Sequence, residues 1–228
     1  MLSNIKLNAL LSITLVAFIS LFSLVLSSSN AMAIPPTPPP DCPGTPFQGP
    51  IYEEITIGSC KITYTYWWRT GCNEYNDAYI ESFELGPNCG IFDPNDYDNI
   101  CDGIMADIVV FKNPWGGAVV PNCEDTPGWT NTKWRFFRPS CFTDAMPIWI
   151  ENSEGNYILV SKVMPCVTQE MMGYCYKTYQ YCWELVNSER QLNTRTLGSG
   201  KFGNNLYCPG FYIGTDGVTY QCYPSCEE

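Results

Sequence analysis

Histidine is missing from all 228 residues of this chain. The common catalytic triads use a histidine as general base, and most catalytic zinc sites use histidine ligands. Both kinds of site are therefore excluded in their usual forms. A glycosidase needs only two carboxylates, and the 23 acidic residues leave that mechanism open, although no pair of them stands out. The residues favour a protein that is not an enzyme.

Positive charge is also scarce, with 12 Lys and Arg against 23 Asp and Glu, so the net charge is −11. Removal of residues 1–33, which contain Lys6 and no acid, would change the net charge to −12 (−11 − 1). Such an acidic surface repels the phosphates of nucleic acids and of anionic lipids. We therefore expect neither nucleic acid nor membrane as a partner of the mature chain.

The N-terminus has the pattern of an export signal. Lys6 precedes an apolar run over about residues 9–26, and Ala31-Met32-Ala33 supplies the small residues that a signal peptidase recognises. We predict a signal peptide over residues 1–33. Retention of the apolar run as a membrane anchor is the alternative, because it is nearly long enough to span a bilayer. Residues 34–49 include five prolines in six positions and are predicted as an extended spacer.

All 13 cysteines follow the predicted signal peptide. Such a count in an exported chain predicts disulfides and a secreted or cell-envelope location. There is no CxxC pair to support a zinc site. Six bridges would leave one cysteine, either as a buried or merely unpaired thiol or as a bridge between subunits. The disulfide candidates are Cys42, Cys60, Cys72, Cys89, Cys101, Cys123, Cys141, Cys166, Cys175, Cys182, Cys208, Cys222 and Cys226.

The rest of the chain has the pattern of short strands separated by turns. Residues 51–57 and 60–68 flank Gly58-Ser59, a typical two-residue hairpin turn. Residues 198–203 match GxGxxG by letter, but no helix follows them, so we predict a flexible loop there. Helical periodicity is nearly absent. The other runs with strand character are 106–112, 134–138, 147–151, 157–163, 211–213 and 218–223.

An internal repeat relates residues 60–68 (Cys-Lys-Ile-Thr-Tyr-Thr-Tyr-Trp-Trp) to residues 175–183 (Cys-Tyr-Lys-Thr-Tyr-Gln-Tyr-Cys-Trp). Gly58 and Gly173 precede the two cysteines at the same distance, and a later cysteine recurs at Cys89 and Cys208. The repeat predicts two related β units, at about 51–89 and 166–208. It also implies that residues 184–192, which could be helical by propensity, form a strand. The aromatic face of each unit is expected to be core.

These patterns predict an all-β domain over residues 50–228. We expect either a disulfide-stapled antiparallel β-sandwich or two small β units with an internal repeat, after an N-terminal signal helix. A domain of about this length can bury a core of its own.

The best candidate for a metal site is the acidic run over residues 93–103. Calcium takes several oxygen ligands, and Asp and Asn side chains in a loop can supply them. The spacing is not that of an EF-hand, and an Asp- and Asn-rich surface turn is the preferred explanation. The candidate ligands are Asp93, Asn95, Asp96, Asp98 and Asp102. Apart from calcium, the sequence implies no cofactor.

The function favoured by these observations is that of an exported structural or surface-interaction protein that is able to self-assemble. Its expected partner is another copy of itself or another cell-surface protein. A carbohydrate-binding module is the first alternative, with Trp67, Trp115 and Trp129 as the rings that would stack on a glycan. The carboxylate-pair glycosidase is the second. Exposed rings would favour sugar binding, and buried rings would favour a scaffold.

Overall fold

The computed structural model describes residues 36–37, 45–71, 75–117, 120–125, 132–151, 155–166, 173–203, 208–214 and 217–226. The predicted signal peptide and most of the predicted spacer lie outside these residues. The strands are β1 (Gln48–Ile57), β2 (Cys60–Thr70), β3 (Tyr75–Leu85), β4 (Lys133–Pro139), β5 (Cys141–Thr143), β6 (Met146–Glu151), β7 (Tyr157–Val163), β8 (Tyr174–Val186), β9 (Glu189–Phe202), β10 (Phe211–Ile213) and β11 (Thr219–Pro224). A 3₁₀ turn (Pro94–Asp96) leads into helix α1 (Tyr97–Asp107), which continues as a π-helical turn (Ile108–Lys112).

Eight strands form one mixed sheet, whose main order is β1-β2-β3-β4-β8-β9. All neighbours in this order are antiparallel except β3 and β4, which are parallel. The hairpin of β6 and β7 pairs with the end of β3. Strands β10, β11 and β5 form a separate small sheet. The prediction of a mostly β fold stapled by disulfides is confirmed, as a large and a small sheet.

The large sheet consists of two three-stranded antiparallel units, β1-β2-β3 and β4-β8-β9. The repeated sequence segments form their central strands, and the matching residues Tyr64, Tyr66, Tyr179 and Tyr181 all lie in one buried core. Both units run in the same sense across the sheet. For this reason the last strand of the first unit meets the first strand of the second in parallel. The second unit thus lies beside the first as if moved by a translation.

The hairpin of β8 and β9 contains two segments whose structure the sequence leaves open or misses. The repeat predicts a single strand over residues 184–192. The structure instead has the end of β8 and the start of β9 there, joined by an Asn187-Ser188 turn whose two residues have positive φ, as a tight hairpin requires. The prediction of a loop at residues 198–203 is wrong, because β9 extends to Phe202. The ring of Tyr176 lies directly over Gly200, where a Cβ atom would be 2.6 Å from its hydroxyl oxygen.

Helix α1 packs on one face of the large sheet, which we call the helix face. Ile104, Met105, Ile108 and Val109 are buried in the same core as the repeated tyrosines. The prediction of a strand over residues 106–112 is wrong, because burial of these side chains in a helical arrangement outweighs the weak strand preference of Ile and Val. The acidic run that was predicted as a turn forms the 3₁₀ turn and the first half of α1.

The opposite face of the sheet, the far face, carries a buried ion network. Asp77 accepts hydrogen bonds from Arg69 Nε at 2.8 Å and from Arg135 Nε at 3.0 Å. The side chains of Arg69 and Asp77 have no exposed surface. All three groups are charged and buried away from water. The ion pairs between them therefore replace the hydration that each charge loses on burial.

The end of the predicted spacer belongs to the folded domain. Phe47 is buried, packs edge-on against Phe137 and lies 4.8 Å from the guanidinium of Arg69. The carbonyl of Thr45 accepts a hydrogen bond from the same guanidinium. The folded part therefore begins at or before Thr45, within the range 34–49 that was predicted as a spacer.

Candidate interaction surfaces

Five disulfides join described cysteines: Cys60–Cys89, Cys123–Cys182, Cys141–Cys208, Cys166–Cys222 and Cys175–Cys226. Cys42 and Cys72 lie outside the described residues. The aligned cysteines of the repeat, Cys60 and Cys175, therefore have partners that are not equivalent in sequence. Bridges of this number are typical of proteins that fold in an extracytoplasmic compartment.

Cys101 is a free cysteine on the buried side of α1. It has no exposed surface, and burial raises the pKa of its thiol to about 12. A thiol in this position cannot reach a second subunit. Of the two explanations for an odd cysteine, Cys101 fits the buried, unpaired thiol.

The five predicted calcium ligands make separate contacts. Asp93 caps the start of the 3₁₀ turn, where its side chain accepts hydrogen bonds from the backbone and side-chain amides of Asn95. Asp98 binds Arg138 and Lys177, and Asp102 accepts a hydrogen bond from Tyr179 at 3.0 Å. Asp96, the fifth, is exposed. Among the described Cys, Asp and Glu residues, the sole group of three with ligand atoms within 4.8 Å of one another is Cys141, Cys166 and Cys222, all in disulfides.

Asp98 is held in its charged form by its two cationic neighbours. Burial by itself would raise the pKa of this carboxyl group, but the hydrogen bonds and charges of Arg138 and Lys177 outweigh burial and lower the pKa below its usual value. The same contact raises the pKa of Lys177 although burial opposes it. Asp98 therefore joins α1 to strands β4 and β8.

The two buried carboxylates among the described residues do not form the pair that a glycosidase would need. Asp77 lies on the far face with its two arginines, whereas Asp107 projects from α1 toward the helix face. Asp107 accepts a hydrogen bond of 2.5 Å from Tyr64, and burial together with this contact raises the pKa of Tyr64 well above its usual value. The sheet therefore separates these two buried acids.

Two of the three predicted sugar-stacking rings are used inside the fold. Trp67 is buried on the far face and donates its indole hydrogen to Glu81. Trp115 is half-buried against the core and donates to the carbonyl of Arg69. Trp129 lies outside the described residues. By the criterion of ring exposure, Trp67 and Trp115 favour a scaffold.

Two exposed rings lie together on the hairpin of β6 and β7. Trp149 and Tyr157 are each 67% exposed, and Leu159, which lies directly opposite Trp149, is 46% exposed. The alternation of exposed and half-buried residues along β6 places Trp149 on the outer face. The sequence does not reveal this surface, because Ile148, Trp149 and Ile150 form a continuous apolar run, and the sheet around them decides which side is exposed.

The two opposite edges of the large sheet are exposed as well. Among the described strands, β1 pairs only with β2, and β9 pairs only with β8. None of the 14 residues of β9 is buried, and none is proline. After Glu189 this strand contains Arg190, Arg195 and Lys201 but no acid. Strand β1 has the opposite charge, with Glu53, Glu54 and no cation.

Four clefts of the described surface have volumes of about 190, 250, 260 and 320 Å³. Sites for small organic ligands usually have volumes of about 300 to 1,000 Å³. The exposed hairpin and the sheet edges are therefore better candidates for function than the clefts.

No described helix has the length and apolar character that a membrane crossing would require. No protein-family model matches the chain, and no curated protein or solved structure matches it either. Function is therefore inferred from the surfaces described above.

Proposed function

We propose that this chain is an exported, non-catalytic structural protein whose copies associate through the edges of the large sheet. The observation that carries this proposal is the exposure of β1 and β9 at opposite edges of one sheet. Each edge strand presents backbone N–H and C=O groups on its outer side that a further strand can bind. The predicted export signal and the disulfides fit a protein that works outside the cytoplasm.

Strand β9 lacks most of the features by which proteins prevent edge-to-edge pairing. Natural edge strands are often very short, interrupted by proline or covered by other elements. β9 is 14 residues long, contains no proline and has no buried residue. Apart from the register shift near Leu197, its three cations are the protective feature that remains, and one of them, Arg190, would be neutralised by an acidic partner strand. Such an edge is suited to a second copy of an acidic protein.

The test is the mass of the chain in solution, with residues 1–33 removed. Sedimentation velocity and light scattering over micromolar to millimolar concentrations are expected to give a mean mass above that of one chain, rising with concentration. On a denaturing gel the protein should run as single chains, because the proposed contact between β1 and β9 is non-covalent. A single-chain mass over the whole range would contradict the proposal.

A carbohydrate-binding role is the second candidate, carried by the hairpin of β6 and β7. Trp149 and Tyr157 lie on the same outer face, and exposed aromatic planes of this kind can stack on sugar rings. We expect Trp149→Ala to abolish retention on an insoluble polysaccharide if the hairpin binds glycans. Tyr52→Ala is the matched control, since Tyr52 is equally exposed but lies on β1. Loss of retention in both variants, or in neither, would contradict this role.

A further inference from the structure

We propose that the contact between copies repeats the contact between the two halves of the sheet: β9 of one copy pairs in parallel with β1 of the next, with Arg190 beside Glu53. This inference rests on the proposed self-association and defines its geometry. Within the chain, the halves meet where residues 75–79 of β3 pair in parallel with residues 133–137 of β4. Strands β9 and β1 are the equivalents of β3 and β4 in the two units.

The equivalent residues follow from the repeat and from the observed pairing. Thr70 of β2 and Leu185 of β8 lie ten residues after the aligned cysteines. Thr70 pairs with Asn76, and Leu185 pairs with Arg190, so Arg190 is the equivalent of Asn76.

The other side of the contact follows in the same way. Tyr64 of β2 and Tyr179 of β8 are aligned residues. Tyr64 pairs with Glu53, and Tyr179 pairs with Trp134, so Glu53 is the equivalent of Trp134. Asn76 pairs with Trp134 inside the chain. The same contact between copies therefore places Arg190 beside Glu53.

The neighbouring positions of this register are also complementary. Ala78 pairs with Phe136 inside the chain, and their equivalents are Leu192 and Ile55. Leu192 and Ile55 are both only partly buried, and both pack against the core beneath the helix face. In the proposed contact they would cover each other. An apolar pair thus lies two residues from the Arg190–Glu53 pair on the same face of the sheet, as strand alternation requires.

The same register places the far-face side chains of both strands together. Asp77 and Arg135 form the buried ion pair inside the chain, and their equivalents are Gln191 and Glu54. An amide can donate a hydrogen bond to a carboxylate at this position. Because the two edges that meet are different, the contact is heterologous and adds copies in a row.

The decisive experiment reverses the two charges separately. Arg190→Glu and Glu53→Arg are each expected to weaken association by about tenfold or more, since each places like charges side by side. An equimolar mixture of the two variants should associate again, because each β9 then meets a β1 of opposite charge. Arg195→Glu is the matched control: it makes the same charge change on β9 outside the proposed register, and it should leave association close to that of the wild type.

The mixture separates a loss of contact from a loss of fold. Glu53 also binds Lys112 within the chain, at 2.6 Å, so the melting temperature of each variant is measured first. If both variants are folded and weak but their mixture does not recover, the proposed register is overturned. If Arg190→Glu has no effect while the wild type associates, the register is likewise wrong, but self-association stands. If the wild type never associates, the proposed function fails and this inference fails with it.

A photo-crosslinking amino acid at position 191 gives an independent measurement. In the associated wild-type background it should form adducts with residues 52–56 of another copy, which mass spectrometry of the digested product can locate. Adducts confined to the β6–β7 hairpin would overturn the register and would show that copies meet through that hairpin instead.

Discussion

Asp77 of β3 and Arg135 of β4 hold the two halves of the sheet together by two hydrogen bonds of 3.0 Å. The pair crosses the parallel junction, and Arg69 approaches the same carboxylate from β2 at 2.7 Å. The three side chains are almost completely buried.

We expect Asp77→Asn to lower the free energy of unfolding by about 3 to 5 kcal/mol, because it leaves two arginines buried without a counter-charge. Urea denaturation followed by tryptophan fluorescence measures the difference. Replacing all three residues by apolar ones, Arg69→Met, Asp77→Leu and Arg135→Met together, should cost less than Asp77→Asn alone, since no uncompensated charge remains. A triple variant that is the less stable of the two would contradict this explanation.

The ion pair between Asp98 and Arg138 predicts a pH-dependent contribution to stability. Asp98→Asn should destabilise the fold by about 2 kcal/mol at neutral pH, because Arg138 is left buried beside a neutral partner. The pKa of Asp98 is lower in the folded state than in the unfolded chain. The stabilisation is therefore fully present above the ordinary aspartate pKa of about 3.9 and is lost as the pH falls through the folded value.

The measurement for Asp98 is a series of urea denaturations of the wild type and of Asp98→Asn from neutral pH downward. The difference in unfolding free energy between the two proteins should stay constant to about pH 4 and then decrease. A difference that stays unchanged at the lowest pH at which both proteins fold would show that the charge of Asp98 is not its cause.

Cys101 is expected to resist alkylation in the native protein. Its thiol is fully buried, and a pKa of about 12 leaves almost no thiolate at neutral pH. Iodoacetamide followed by peptide mapping should find Cys101 unmodified before denaturation and modified in urea. Rapid labelling of Cys101 under native conditions would show that α1 opens readily from the sheet.

The calcium hypothesis has a direct test. Asp98 already binds two cations, and Asp93 caps the turn before α1, so we expect millimolar calcium to leave the melting temperature unchanged. Magnesium at the same ionic strength controls for general screening of the acidic surface. A rise with calcium alone would establish that some of the candidate carboxylates leave their present partners to bind the ion.

Local patterns in the sequence predict much of the strand content. Three hairpins join runs that the sequence predicts as strands and that are extended in the structure. They are β1–β2 around Gly58-Ser59, β6–β7 and β10–β11. In each case the turn and the alternation of side chains involve neighbouring residues, so a single sequence contains the information. The repeat predicts correctly that residues 184–186 and 189–192 are extended, but not the turn between them.

What the sequence does not predict depends on distant contacts. Helix α1 contains Asp and Gly residues and leads into a β-branched run, so burial against the sheet decides its structure rather than local preference. The parallel junction joins Asp77 to Arg135, 58 residues apart. That β9 is an edge strand follows only from the order of strands in the sheet. For the same reason the candidate contact surface could not be assigned from the sequence, and exposure of Trp149 was not recognised.

Of the five bridges between described cysteines, four lie at one end of the large sheet, where β2 and β8 begin: those of Cys60, Cys141, Cys166 and Cys175. The bridge of Cys182 lies eight residues along β8 from its start. Reduction should therefore loosen this end of the sheet more than the opposite end. Backbone amides near Ile62 and Leu85 would then exchange with deuterium faster after reduction, whereas those near Arg69 and Asp77, beside the buried ion network, would change less.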